Sequence, residues 1–297
     1  MNKLVTLLMG GLGNQMFQYA TSRAIALRLD SELVLDNWSG FISDYKYRRS
    51  YELGDFPIQA RSATIGERLP FWIEKLESLL LRNRVLIREK IYGSIISEVD
   101  KKFFHELCLY ETKRNCWLTG YWHSPNYFLN YESHILNELT PPLPKNTNYL
   151  DLAQEIKGKT SVALGIRLYE ETKEPASHAR NEEVKSIHDI NNAINIIRQK
   201  LDEPYFYIFS TRRSNFLLDL DLLPWETKFV TRDDGFESST QVLWLLTQFP
   251  NHIITNSSFY WWGAWLSQRN YIKTSQIILA ANNFMNKDAL PDNWLSY

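Results

Sequence analysis

Cysteine is scarce in this chain of 297 residues: there are two, Cys108 and Cys116. That excludes a disulfide scaffold and a four-thiolate zinc site, and a reducing compartment is expected. The 6 histidines show no zinc-ligand spacing. There is no Gly-x-Ser-x-Gly elbow, so nothing supports nucleophilic serine chemistry. Neither sign of charge is in excess, with 33 Lys and Arg against 34 Asp and Glu, a net −1. This excludes a polyanion binder that works by bulk charge, but leaves room for a local basic site. No apolar run approaches the roughly 18 residues of a membrane span. Met1 to Met9 is apolar after one lysine, yet too short for a signal-peptide core and cleavage site before Gly10. Short-period repeats and low-complexity tracts are absent too. A soluble or peripheral protein is expected.

What is present is aromatic: 14% of residues, including 10 Trp and 16 Tyr. Such content fits an aromatic-rich core, and flat rings also pack on sugar faces. The hydrophobic fraction of 44% and charged fraction of 23% are those of a folded protein. The length suggests about two domains at roughly 150 residues each, with about three quarters of the unfolded surface buried. Leu4–Leu8 reads as a buried strand, Gly10–Asn14 as a turn, Gln15–Leu29 as a helix and Leu33–Leu35 as a second strand ending at Asp36. That is the opening of a parallel α/β unit. Residues 67–95 read as an amphipathic helix carrying Arg82, Arg84, Arg88 and Lys90, suited to a solvated face or to an anionic membrane surface. Trp117–Trp122 reads as a strand and Ser124–Leu139 as a helix. Thr140–Asn148, with three prolines, is the best linker. A second alternation follows, with strands at 161–166, 205–210, 228–230, 252–255 and 277–280 and helices at 186–200, 239–248 and 258–267. The expected domains are residues 1–145 and 146–297, two facing Rossmann-like units with a cleft between them.

Ligands of such sheets bind beyond the carboxyl ends of the strands. Four segments fall there. Gly10-Gly11-Leu12-Gly13-Asn14-Gln15 has neither the last glycine of a dinucleotide motif nor the Gly-Lys-Ser/Thr of a Walker loop. It fits a structural turn as well as a cradle whose amides suit sugar hydroxyls. Arg167 follows the strand SVALGI, and its fork suits a diphosphate, unless it pairs with Glu170, Glu171 or Glu174. Asn256-Ser257-Ser258-Phe259 leads into an apolar helix, where capping and phosphate binding are compatible. Asp233 and Asp234 could accept hydrogen bonds from a purine edge, hold a metal, or form a plain turn.

Taken together these segments resemble the bacterial α-1,2-fucosyltransferases of glycosyltransferase family 11. The likeness is carried by GGLGNQMFQYA at 10–20, Leu35-Asp36, Gly120-Tyr121-Trp122-His123-Ser124, Tyr127-Phe128, Tyr205–Ser210 and NHIITNSSFYWWGAWL at 251–266. It implies a GT-B-type enzyme with inverting transfer of L-fucose from GDP-β-L-fucose to the 2-hydroxyl of a β-galactoside, with no metal and no other cofactor. Such enzymes often build surface polysaccharide of the O-antigen type. A cytoplasmic place follows, with peripheral contact at the inner face of the cell membrane where a lipid-linked acceptor lies. No nucleic-acid partner is expected. The N-terminal domain would take the acceptor and the C-terminal domain GDP-fucose.

The resemblance places Arg167, Asn14 and Glu170 in catalysis. Gly11, Gly13, Gln15, Asp36, Trp122, His123, His178, Asp233, Asp234, Asn256, Ser257, Ser258 and Phe259 would bind substrate. Candidates for the general base are Glu170, Glu171, Asp36 and His178. One stretch departs from the family pattern, His-x-Arg-x-x-Asp: Gly165 stands at the His, Leu168 at a usual second Arg and Glu170 at the Asp. An acidic position before the last motif falls near Val242. The departures leave open another nucleotide sugar as donor, or a non-catalytic glycan- or nucleotide-binding relative.

Overall fold

A hydrophobic strand-helix-strand run opens the first of two all-parallel sheets, and a second such run, over 161–209, opens the other. The structure, a computed structural model, describes residues 2–42, 44–68, 94–98, 102–109, 115–271, 275–284 and 286–297. The expected amphipathic helix over 67–95, with its four basic residues, lies almost wholly outside them. The chain divides into one unit of Met1–Leu139 with Asn286–Ala289, and a second of Thr140–Met285 with Leu290–Tyr297. The second unit is therefore not the continuous run 146–297. Asp288 belongs with the first unit because its carboxylate accepts from the Phe103 N–H at 2.8 Å and its carbonyl accepts from Ser124 Oγ at 2.8 Å.

The first unit holds β1 (Lys3–Leu7), β2 (Glu32–Asp36), β3 (Arg61–Ser62), β4 (Ser94–Ser97) and β5 (Cys116–Thr119), in the order β3-β2-β1-β5-β4. Val5 sits in register with Val34 on one side and Trp117 on the other. These three pack with Ala63 in a small buried cluster. Helix α1 (Leu12–Arg28) links β1 to β2 and is buried over most of its circumference. Its buried polar groups are largely paired. Gln18 Oε1 accepts from the Met9 N–H at 3.0 Å, and Tyr19 Oη donates to Glu138, which also holds Arg23.

The second unit holds β6 (Ser161–Gly165), β7 (Tyr205–Phe209), β8 (Thr227–Val230), β9 (Asn251–Ile254), β10 (Ile278–Ala280) and β11 (Leu295–Ser296). Their order, β11-β10-β9-β6-β7-β8, reads 6-5-4-1-2-3 within the unit, the Rossmann order. Helix α2 (Thr147–Lys157) leads in, capped by Asn146. Helix α3 (Ile187–Lys200) starts with a Ser186–Asp189 capping box and lays Ile190, Ile194 and Ile197 on Val162, Leu164 and Phe206. Helices α4 (Ser239–Leu246) and α5 (Ser258–Ser267) touch each other closely. A Cβ on Gly263 would lie 2.7 Å from Leu246 Cβ, so glycine is required there. Both units are α/β, as expected for a GT-B-type chain.

Some elements differ from the sequence reading. The run 124–139 is not one helix: 3₁₀ turns at Pro125–Tyr127 and Leu129–Tyr131 precede a helix at Glu132–Glu138. Phe128, at φ −130° and ψ 0°, is not helical and breaks the run. The strand at 117–122 stops at Thr119, because Gly120 and Trp122 take positive φ. Among the described residues no helix is long and apolar enough to cross a membrane.

Candidate functional site

Each sheet has one switch point, where the chain reverses its direction of progress across the strands. In the first unit it lies between β1 and β5. The carboxyl end of β1 turns through Gly10 at φ +77°, a conformation that suits glycine. A Cβ there would lie 2.5 Å from Asn14 Nδ2, so glycine also leaves room for the amide. Gly11 caps α1 with its backbone alone, and Gly13 is buried within the helix.

The chain leaving β5 brings His123 to Asn14. Nε2 lies 3.0 Å from Asn14 Oδ1, and since that oxygen only accepts, Nε2 carries the proton. The ring stacks on Tyr121 at 5.3 Å and meets Phe17 edge-on at 5.1 Å. Burial pushes the His123 imidazole down to about 4, so it is neutral at physiological pH. Sequence reasoning missed Arg49, whose guanidinium carbon lies 3.6 Å from where a Gly11 Cβ would stand. Asp44 fixes that segment by accepting the Arg49 N–H at 3.0 Å. The only signal was a basic run, Arg48-Arg49, inside a polar stretch.

Three expected binding residues of this unit are structural instead. Gln15 is fully buried. Its amide donates to Gly10 O at 2.9 Å and Ser50 O at 2.8 Å and accepts from the Glu52 N–H at 2.9 Å. Asp36 is also fully buried and accepts from the N–H groups of Trp38 and Ser39, which starts the next turn. Trp122, buried at φ +55°, meets Tyr127 edge-on at 5.7 Å and offers no face to a sugar.

In the second unit the switch point lies between β6 and β9. Thr255, just past β9, joins the two strand ends. Its Oγ1 accepts from the Arg167 N–H at 2.8 Å and donates to Gly165 O at 3.1 Å. Sequence reasoning did not single it out; its sole mark was its place before Asn256-Ser257. Arg167 is largely buried and makes a bidentate pair with Glu171, 2.9 Å at Nη1 and shorter at Nη2. Burial works against its charge, and the Glu171 pair more than offsets that, so the guanidinium sits above its ordinary range. Nε–H and the outer N–H groups remain for an anion. The guanidinium carbon lies 4.2 Å from the Tyr169 ring centroid.

Glu170 is half-buried. Burial pushes its carboxyl up, partly countered by a hydrogen bond from Ser210 Oγ at 3.4 Å and by the Arg167 charge. Its Oε2 is buried without a hydrogen-bond partner. The other base candidates are engaged: Glu171 with Arg167, Asp36 in its turn, and His178 with Glu183 through Nδ1. His178 is 4% exposed and stacks on Tyr169 at 3.9 Å, so it supports a ring rather than touching substrate.

Helix α5 begins at the same end. Ser257 is its N-cap, with Oγ accepting the Tyr260 N–H at 3.5 Å. Asn256, Ser258 and Phe259 are half-buried around that cap. The helix N-terminus carries partial positive charge, which favours an anion. Tyr260 turns back over β6: a Cβ on Gly165 would lie 2.5 Å from its ring. Its hydroxyl donates to Phe209 O at 3.1 Å. Any side chain at position 165 would therefore meet this ring. Asp233 and Asp234 follow β8 and are taken by Arg213. Asp233 accepts the Arg213 N–H at 2.8 Å, and Asp234 pairs with the guanidinium and with Thr231 Oγ1 at 2.6 Å. These contacts tie the turn after β8 to the Arg213 segment. Among the described residues no group of His, Cys, Asp and Glu could hold a metal ion.

Comparison with known proteins agrees with this architecture. The chain is 28% identical to an α-1,2-colitosyltransferase of Escherichia coli over 292 residues, 91% of this chain and 89% of that one. It is 26% identical to the O-antigen biosynthesis glycosyltransferase WbnK of Escherichia coli over 296 residues, 88% and 89% of the two chains. Among solved structures, the fold matches fucosyltransferase NodZ from Bradyrhizobium with a TM-score of 0.51 and 15% identity, over 89% of this chain and 92% of that one. The model of "Glycosyl transferase family 11" matches residues 85–297, well over half of the chain, and so the chain belongs to glycosyl transferase family 11.

Proposed function

We propose that this glycosyltransferase moves L-fucose from GDP-β-L-fucose to the 2-hydroxyl of a β-galactoside, with inversion, during synthesis of an O-antigen-type polysaccharide. The observation that carries this reading is the convergence of Arg167, Thr255 and the Ser257 cap at one switch point. There a nucleoside diphosphate would meet a fixed cation and a helix N-terminus together. The second unit then takes the GDP end of the donor. The first takes the acceptor, with Asn14 and neutral His123 contacting sugar hydroxyls. The relatives' names, a colitosyltransferase and an O-antigen glycosyltransferase, support the reaction class and setting.

The chemistry balances as a single displacement. The acceptor oxygen bonds to the anomeric carbon as the bond to the β-phosphate oxygen breaks. Negative charge develops on the departing GDP, where Arg167 and the N–H groups of Ser258 and Phe259 stabilise it. Glu170 receives the acceptor proton, its affinity for it raised by burial.

A second reading concerns the sugar. Colitose is fucose without the 3-hydroxyl, and one relative is named for it. A site that hydrogen-bonds the 3-hydroxyl would reject the deoxy sugar by about 10⁴ or more. Turnover of GDP-fucose and GDP-colitose is therefore measured side by side on a β-galactoside panel, with NMR of the product linkage. An α-1,2-fucosyl product at the higher rate is expected. Preference for GDP-colitose would replace the sugar and keep the site, and release of GDP from neither donor would refute the donor class.

A further inference from the structure

We propose that Tyr169 is a positioning residue of the donor site, whose ring, fixed from behind by His178, holds the Arg167 guanidinium ready for the diphosphate. The inference rests on the reading of Arg167 as the diphosphate ligand. Three observations carry it. First, Tyr169 has φ +60°, a left-handed conformation costly for a bulky residue with a Cβ. Such outliers persist where surrounding contacts hold them, and they gather at functional sites. Second, the ring touches the Arg167 cation, 4.2 Å from the centroid, close enough for a cation–π interaction in a desolvated setting. Third, the ring is clamped: it lies parallel to the His178 imidazole at 3.9 Å and 5°, and His178 is tied through Nδ1 to Glu183.

The strained backbone and the aromatic contacts explain one another. From a left-handed residue two positions along, the ring comes back beside the Arg167 guanidinium, while Glu171, two positions further, takes two of its nitrogens. Arg167 is thus held by a carboxylate and by a ring whose own place is set by a buried histidine.

The test uses the full chain and GDP as the probe. GDP affinity is measured by calorimetry, and the donor KM and kcat by GDP release. Tyr169→Phe keeps ring and clamp and should bind GDP within about twofold of the parent. Tyr169→Leu and Tyr169→Asn should weaken GDP binding roughly tenfold and raise donor KM. Asparagine tolerates the left-handed conformation, so its loss of affinity cannot be laid to backbone strain. In an Arg167→Ala background the same two changes should weaken binding by less than about twofold, because the contact they remove is already gone. Parent-like affinity in both non-aromatic variants, or an undiminished loss in the Arg167→Ala background, would overturn the inference. Parent-like GDP affinity of Arg167→Ala alone would instead refute the donor-site reading, and this inference with it.

Discussion

At the switch point of the first unit the strand ends present an amide and an imidazole, Asn14 and His123, hydrogen-bonded to each other and uncharged. At that of the second they present Arg167, Glu170 and Glu171 beside a helix N-terminus. The topology of the two ends is alike, since both lie where an all-parallel sheet reverses its order. Their chemistry differs: the first adds the Arg49 guanidinium beside Gly11, while the second groups a cation with two carboxylates. A fold rule places a site, and only the side chains at that place decide between a hydroxyl group and a diphosphate. Arg167 is held by Thr255 through its backbone and by Glu171 and Tyr169 through its guanidinium.

Three experiments probe this contrast. The largest effect is expected at the charged end. Arg167→Ala should lower turnover of the donor about 10²–10³-fold, as loss of one preorganised charge-stabilising group does. Arg167→Lys should recover little, since an ammonium cannot reproduce the fork. Steady-state kinetics decides it, and near-parental turnover would mean that the diphosphate lies elsewhere.

The next contrast sets two glycines side by side. Gly165→Ala brings a Cβ to 2.5 Å of the Tyr260 ring, against packed helix and sheet, while Gly11→Ala meets Arg49 at an ordinary 3.6 Å. Overpacking of the first kind costs about 1–3 kcal/mol, and loss of a glycine N-cap about half as much or less. Denaturant melts of the two variants should rank in that order; the reverse ranking would mean that Tyr260 yields easily.

The smallest effect is a pH dependence. His123 titrates near 4 in the folded protein against 6.5 ordinarily. Between those values the unfolded chain binds more protons, so stability rises with pH across that window and is full above it. Buried His252, pushed down to about 3, adds to the same slope from the second unit. In His123→Gln the loss of stability from pH 7 to pH 4.5 should shrink by about 1 kcal/mol, the imidazole being partly exposed. Thermal melts at the two pH values read this, and an unchanged loss would place His123 in water.

Much of the fold was legible because its signals are local. Ser258–Ser267 was read to the residue, since a Ser cap and an unbroken apolar run leave little choice. β3, β4 and β11 were not read, being strands of two to four residues, too short to show an alternation. At the site, residue types were legible and side-chain directions were not. Asn14 and His123 were both named, yet their contact spans 109 positions. Gln15, Asp36 and Trp122 lie near the same strand ends, but their groups turn inward to satisfy buried backbone or fill the core. The missing histidine at 165 was visible, and the ring of Tyr260 that replaces its bulk was not. Tyr169 passed unnoticed because nothing in a sequence marks a left-handed tyrosine.

Helix α5 carries one more consequence. Trp261, Trp262 and Trp265 lie with Trp294 at centroid distances of 5.1 to 5.8 Å, and Trp261 and Trp265 are nearly parallel. Transition dipoles so close couple, so these indoles absorb as one chromophore with a circular-dichroism couplet of its own. The helix that carries three of them begins at the Ser257 cap. The enzyme therefore has an optical signal built in beside the proposed donor site, readable without any label.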